Sequence, residues 1–226
     1  MSLIEDDGRL VAPLASVRTE VQVPLRFPDG YATPARVVTF EGLVDGLEHV
    51  ALGLGAYAAP THRTRPVDGP LPWVRLHSEC LTGDVFGSQR CDCGPQLREG
   101  VERVAESGGY VLYLRQEGRG IGLYAKLDAY ALQDGGLDTY DANLALGYDA
   151  DERDYTAAAQ MVRALGLDRV ALLSNNPDKA AQLRQQGIEV ARTVPTGLHL
   201  SAANARYLAA KAHRGAHTLD LPYPSP

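Results

Sequence analysis

Val170-Ala171-Leu172-Leu173-Ser174-Asn175-Asn176-Pro177-Asp178-Lys179-Ala180-Ala181-Gln182-Leu183-Arg184-Gln185-Gln186-Gly187-Ile188-Glu189-Val190 reads as a strand, a turn, a helix and a second strand. The apolar run Val170 to Leu173 is short and suits a buried strand. Asn176 stands where an N-cap accepts from the free N–H groups of the first turn. Pro177 follows at the first helical position, where its missing N–H costs nothing. Gly187 stops the helix, and Ile188 and Val190 begin the next strand.

Working outward, a helix is predicted from about Thr156 to Leu165, with Met161, Val162 and Leu165 as core candidates. Tyr110 to Leu114 is an apolar strand that runs into Arg115-Gln116-Glu117-Gly118-Arg119. A helix follows from about Ile121 to Asp134. Leu123, Leu127, Tyr130 and Ala131 fall at helical spacing on it and predict one apolar face. Trp73 to Ser78 reads as a strand. So do Ala35 to Phe40 and His49 to Leu54, with Gly42 and Gly46 marking the turn between them. The stretch Ala56 to Pro72 holds four prolines and reads as a connection, because proline removes ladder donors. The fold class is therefore α/β in the mixed sense, with a strand-rich N-terminal half and alternating strand and helix in the C-terminal half. Residues 1–33 are expected to be an N-terminal extension, 34–217 a single domain, and 218–226 a mobile, proline-rich tail.

The chain carries 22 Lys and Arg against 28 Asp and Glu, for a net charge of −6. Such a balance makes a poor generic partner for nucleic acid or an anionic membrane. No run approaches the roughly 20 apolar residues of a membrane span. Met1-Ser2-Leu3-Ile4-Glu5-Asp6-Asp7 does not read as a signal peptide, so a cytoplasmic protein is expected. An anionic ligand would have to be held by locally placed basic residues.

The 3 cysteines, Cys80, Cys91 and Cys93, share one short window. An odd number cannot close a disulfide framework. Three thiolates can hold a Zn²⁺ and leave a fourth position for water, the pattern of a catalytic site. The metal then lowers the pKa of that water towards neutrality. Buried structural thiols are the bland alternative. Against it, Arg90, Asp92 and Gly94 flank Cys91 and Cys93, which is not a buried apolar context. A closed site completed by His77 is a further alternative. His77-x-Glu79 near cysteines also suggests a base deaminase, but that class follows with Pro-Cys-x-x-Cys, and here the spacing is Cys-x-Cys.

Glu117-Gly118-Arg119-Gly120-Ile121-Gly122 sits between a strand and a helix. Glycines there allow close backbone approach, and a helix start attracts anions. The spacing is not that of a dinucleotide fingerprint, and a plain turn is the alternative. Asp151-Glu152-Arg153-Asp154 precedes the next helix, where acidic residues also simply suit the macrodipole. Ser174 and Lys179 flank the Asn176 helix start and could contact a phosphate.

Arg75-Leu76-His77-Ser78-Glu79-Cys80-Leu81-Thr82-Gly83-Asp84, Arg90-Cys91-Asp92-Cys93-Gly94, Arg115 to Arg119, Ala129 to Asp134, Asp151-Glu152-Arg153 and Asn175-Asn176-Pro177 together resemble GTP cyclohydrolase II. The resemblance runs from about Val37 to His217. It implies a hydrolase of riboflavin biosynthesis that opens the imidazole ring of GTP. Formate and pyrophosphate leave, giving 2,5-diamino-6-(5-phosphoribosylamino)pyrimidin-4(3H)-one. It implies one Zn²⁺ per chain on Cys80, Cys91 and Cys93, and Mg²⁺ with the triphosphate. GTP would meet Arg75, Leu76, His77, Ser78, Glu79, Gln96, Glu117, Gly118, Arg119, Thr139, Ser174 and Lys179. Asp151 would be the proton acceptor and Arg153 the nucleophile, although a guanidinium is essentially always protonated and suits electrostatic stabilisation equally well. Tyr130 would assist the release of formate, and the enzyme would be a homodimer. Ser174 stands where the family commonly has Thr, and Thr196 to Ala203 is poorly matched. A paralogue that stops at a formylated product, or one that only binds nucleotide, is the alternative function.

Overall fold

The computed structural model describes residues 3–4, 10–11, 14–59, 69–205 and 207–209. The tail at 218–226 and most of the proline-rich connection lie outside them. A two-residue ladder joins β1 (Leu3–Ile4) to β2 (Leu10–Val11). The main sheet has seven strands: β3 (Ser16–Arg26), β4 (Ala32–Glu41), β5 (Val50–Leu54), β6 (Trp73–Ser78), β7 (Gly109–Leu114), β8 (Arg169–Leu173) and β9 (Glu189–Val194). Their order across the sheet is β3-β4-β5-β7-β6-β8-β9. The β3, β4, β5 and β7 neighbours run antiparallel. β7 with β6, β6 with β8 and β8 with β9 run parallel.

The parallel part is covered on both faces, so its strands read as continuous apolar runs. Alternation along them sorts side chains between two cores. Leu76, Leu112 and Leu172 pack on one face with Ala158, Ala159, Met161 and Val162 of α5 (Thr156–Ala164) and Leu183 of α6 (Pro177–Gln185). Val111 and Leu173 pack on the other with Val101 and Val104 of α2 (Cys93–Ser107). The Asn176 cap is formed as the sequence predicts, with its Oδ1 accepting from Asp178 N at 2.9 Å.

Two expectations differ from the structure, and one helix goes beyond them. Residues 16–26, assigned to an extension, form β3, which pairs with β4 from Ser16↔Glu41 to Arg26↔Ala32. Its largely exposed outer position left little apolar signal in the sequence. Helix α2 was not anticipated, although Leu97, Val101 and Val104 recur at helical spacing. The apolar face assigned to α3 (Leu123–Asp134) is only partly covered, with Leu123 and Tyr130 half-buried. Leu127 is 44% exposed and Ala131 is exposed, whereas Lys126 and Ala129 are buried. Between α3 and α5 lies the short α4 (Thr139–Ala145), capped by Asp138. No helix among the described residues is long and apolar enough to cross a membrane.

Leu112 is fully enclosed. Leu112→Ala is expected to cost about 2–5 kcal/mol, and Leu127→Ala to stay within about 0.5 kcal/mol. Urea unfolding midpoints of the two variants check that Leu112 belongs to the core and Leu127 does not.

Candidate active site

β6 ends at Ser78, and the chain turns through Glu79 and Cys80 into α1 (Leu81–Asp84). Cys80, Cys91 and Cys93 then converge, with all three sulfurs within 4.8 Å of one another. The Cys80 and Cys91 sulfurs are 3.7 Å apart. A Cβ on Gly83 would stand 2.8 Å from Cys91 Sγ and 3.1 Å from Cys80 Sγ, so α1 approaches the cluster as only glycine permits. Asp84, at the end of the same turn, fixes the loop. Its carboxylate accepts from Cys80 N at 3.0 Å, from the Tyr113 hydroxyl at 2.9 Å and from His77 Nε2 at 3.1 Å. The His77 ring also stacks on Tyr113. Burial lowers the His77 pKa, and Asp84 only partly opposes it. The His77 ring is therefore committed to supporting the cysteine loop.

Lys126 reaches the cluster from α3. Its Nζ donates to Glu117 Oε1 at 2.7 Å, Thr82 Oγ1 at 3.0 Å and Cys80 Sγ at 3.1 Å. Hydrogen bonds from Cys91 and Cys93 push the Cys80 thiol well down, and Lys126 adds to this against burial. Sharing its proton with Cys80 pushes Cys91 up to about 11. The result is a compact, soft, partly ionised donor set beside a buried cation, and these residues could hold a metal ion. Tyr130 lines the same cavity, with the Arg90 guanidinium 4.5 Å above its ring.

β7 ends at Leu114 and leads into the 3₁₀ turn Glu117–Gly120. Gly118 (φ 63°) and Arg119 (φ 65°) are both left-handed there. For arginine this is a strained conformation. It is held by Glu152 N donating to Arg119 O at 2.9 Å and by the Tyr140 ring 4.0 Å from the guanidinium. Arg119 Nη1 is buried with no partner among the described residues. Beside it, Arg153 grips Asp151 through two donors, one of them Nε to Oδ1 at 2.7 Å. Burial works against the Asp151 carboxylate, but Arg153, with Arg119, outweighs it and keeps the carboxyl below its usual range. Burial likewise opposes the Arg153 charge, yet Tyr155 and Asp151 hold its pKa above the ordinary value.

A second cavity adjoins the first and is lined by residues from β6, α2 and the turn before α6. Arg75 is 4% exposed, donates from Nη2 to Gln96 Oε1 at 2.8 Å, and has a buried Nε without a partner among the described residues. Burial lowers its pKa, but an arginine remains charged. Lys179 Nζ donates to the Leu76 carbonyl at 2.7 Å. Ser174 Oγ accepts from Asn176 N at 3.0 Å, closing the turn. The two cavities share Ser78, Cys93, Arg119, Arg153 and Tyr207.

The structure thus brings the sequence-selected residues to one continuous cleft. Glu79, Glu117, Gly118, Tyr130 and Thr139 lie on the thiol side. Arg75, Leu76, His77, Gln96, Ser174 and Lys179 lie on the basic side. Asp151 joins through Arg153. Sequence reasoning missed Lys126, Asp84 and Tyr207. A lysine between apolar helical positions looks exposed, and nothing local marks a carboxylate that will be enclosed by tertiary packing. Lys126→Met should cost about 3 kcal/mol, because it leaves the Glu117 carboxylate buried without its cation. Lys126→Met/Glu117→Gln should cost less than the sum of the singles, as a urea double-mutant cycle would read.

The GTP cyclohydrolase II family model matches residues 18–195. A GTP cyclohydrolase-2 from Vibrio parahaemolyticus is 52% identical over 187 residues, covering 83% of this chain and 90% of that protein. One from Aliivibrio fischeri is 47% identical over 208 residues, covering 92% and 99%. The riboflavin biosynthesis protein RibBA of Mycobacteroides abscessus is 50% identical over 186 residues, 81% of this chain and 43% of its own length.

Proposed function

The chain belongs to the GTP cyclohydrolase II family and is an enzyme of that family, and from that premise we propose that it opens the imidazole ring of GTP and releases formate and pyrophosphate. The product is 2,5-diamino-6-(5-phosphoribosylamino)pyrimidin-4(3H)-one, an intermediate of riboflavin synthesis. The observation that carries this reading is the joining of a three-thiol cavity to a basic cavity across one row of shared residues. A purine nucleoside triphosphate has matching parts, a base that must meet activated water and a polyanion that must be neutralised.

Zn²⁺ fits the thiol side. The three sulfurs converge around the space that Gly83 leaves open, and soft thiolates suit that ion. Cys80, Cys91 and Cys93 would hold it, and when bound it would lower the pKa of a water and so supply a hydroxide nucleophile near neutral pH. Glu117, fixed by Lys126, and Tyr130 then orient the base so that C8 faces this end. Tyr130 supplies a neutral hydroxyl, since burial raises its pKa. It assists the second hydration, the one that frees formate.

Arg75, Lys179, Arg119 and Arg153 neutralise the triphosphate on the basic side. Mg²⁺ would arrive on the phosphate oxygens, because the lining here is basic with one carboxylate, Asp92, among the described residues. Arg153 acts as a fixed positive charge at the α-phosphate as pyrophosphate departs. Its pairing with Asp151 supports that role over a nucleophilic one, because the pair keeps the guanidinium protonated. Asp151 orients Arg153 and, kept ionised by that pair, serves as the proton acceptor there. A cytoplasmic homodimer completes the reading. Exposed Val85 and Phe86 beside the cysteine loop offer apolar surface for self-association, which sedimentation velocity would detect.

The test is incubation with GTP, read by mass spectrometry for the ring-opened product, with formate and pyrophosphate assayed separately. Cys91→Ser should lose about one equivalent of zinc and all formate release while retaining some pyrophosphate release. Arg153→Ala should lose pyrophosphate release. Equal loss of both products in both variants, with GTP still bound, would overturn the division of the cleft. Metal-free protein that still releases formate would overturn the zinc assignment.

A further inference from the structure

Tyr207 lies beyond the residues matched by the family model, yet it lines both cavities. Its ring is partly buried, and it lines one cavity with Cys93, Asp92, Arg119 and Arg153. The segment that carries it is tied down at two places. On α2, Glu99 accepts from Gly197 N at 2.9 Å and from His199 Nε2 at 2.8 Å, while Arg103 donates to Pro195 O at 2.7 Å. At the turn before α6, Asn175 exchanges hydrogen bonds with the backbone of Thr196, at 2.9 Å to its N–H and 3.1 Å to its carbonyl. Asn204 then holds the following turn, donating to His199 O at 2.8 Å and accepting from Ser201 N at 2.8 Å. Leu208, the next residue, is fully enclosed and anchors the chain beside Tyr207. One clamp is therefore Asn175, itself a wall of the basic cavity, so the same turn that shapes this cavity also places Tyr207 over it.

We propose that Tyr207 is a substrate-contacting residue that closes the junction of the cleft and binds the link between the ribose and the α-phosphate of GTP. The inference rests on the function proposed above. With the base at the thiols and the outer phosphates at Lys179, the ribose and α-phosphate must cross the shared row of Ser78, Cys93, Arg119, Arg153 and Tyr207. Arg119 and Arg153 supply charge there. A tyrosine adds a neutral donor and a flat apolar edge against the sugar.

Calorimetric binding to Tyr207→Phe tests it with three probes, GTP, GMP and inorganic pyrophosphate. Affinity for GTP and GMP should fall about tenfold, the scale of a hydrogen bond to a charged oxygen. Affinity for pyrophosphate, which fills only the outer phosphate positions, should not change, and neither should the unfolding midpoint. Tyr207→Ala should weaken GTP and GMP further, by removing the ring as well. GMP bound as tightly by Tyr207→Phe as by the parent would overturn the inference. So would equal weakening for all three probes, which would mean that the residue only shapes the fold. Parent protein that binds GTP without ring opening would instead sink the function reading while leaving this test intact.

Discussion

The parallel pairing of β6 with β7 at the centre of the sheet is the constraint on which the rest depends. It aligns Ser78 with Leu114, so both strands finish at the same edge. β8 and β9 run in the same direction and finish there too. Four chain segments are therefore released side by side: Glu79-Cys80, Arg115 to Gly120, Ser174 to Asn176, and Pro195 onward. Ligands of parallel sheets bind outside the carboxyl ends of the strands because the connections there are free of the ladder. The antiparallel strands β3, β4 and β5 extend the sheet on the β7 side and contribute no residue to the cleft lining.

That arrangement forces charged groups into enclosed positions, and each is met by a specific partner. Asp84 gathers three donors, Lys126 gathers three acceptors, and Arg153 is gripped by Asp151. Removing one member of such a set strands the other in a poorly solvated site, so these groups are costly to alter one at a time. The same fixation serves chemistry, because donors and charges already in place need no reorganisation when charge develops on a substrate. Arg119 shows the cost directly: its left-handed backbone is maintained by neighbours so that its guanidinium spans both halves of the cleft.

Much of this was legible in the residues. The strand and helix from Val170 to Val190, the strand Trp73–Ser78 and the proximity of three cysteines follow from local rules: apolar runs, caps, proline placement and thiol spacing. These features depend on near neighbours in the chain, and near neighbours are what a sequence displays. The motif resemblance extended this to residues far apart, such as Gln96 and Thr139, which no local rule singles out.

The buried face of α3, the place of β3 and the role of the C-terminal segment were decided only by tertiary structure. On α3, periodicity pointed to Leu123 and Leu127, but the neighbour awaiting that helix is a thiol cluster and a carboxylate, so Lys126 turned inward. β3 carries little apolar signal because it lies at the edge of the sheet, and its hydrogen bonds to β4 run through the backbone, which side-chain patterns do not report. The segment that brings Tyr207 to the cleft is held by Glu99 on Gly197 and by Asn175 on Thr196, bonds that span 98 and 21 positions. The sequence by itself determined which segments form strands and helices and which chemical groups the chain possesses. Which of those groups face one another was settled by the three-dimensional packing, because burial and pairing are properties of the surroundings and not of the residue.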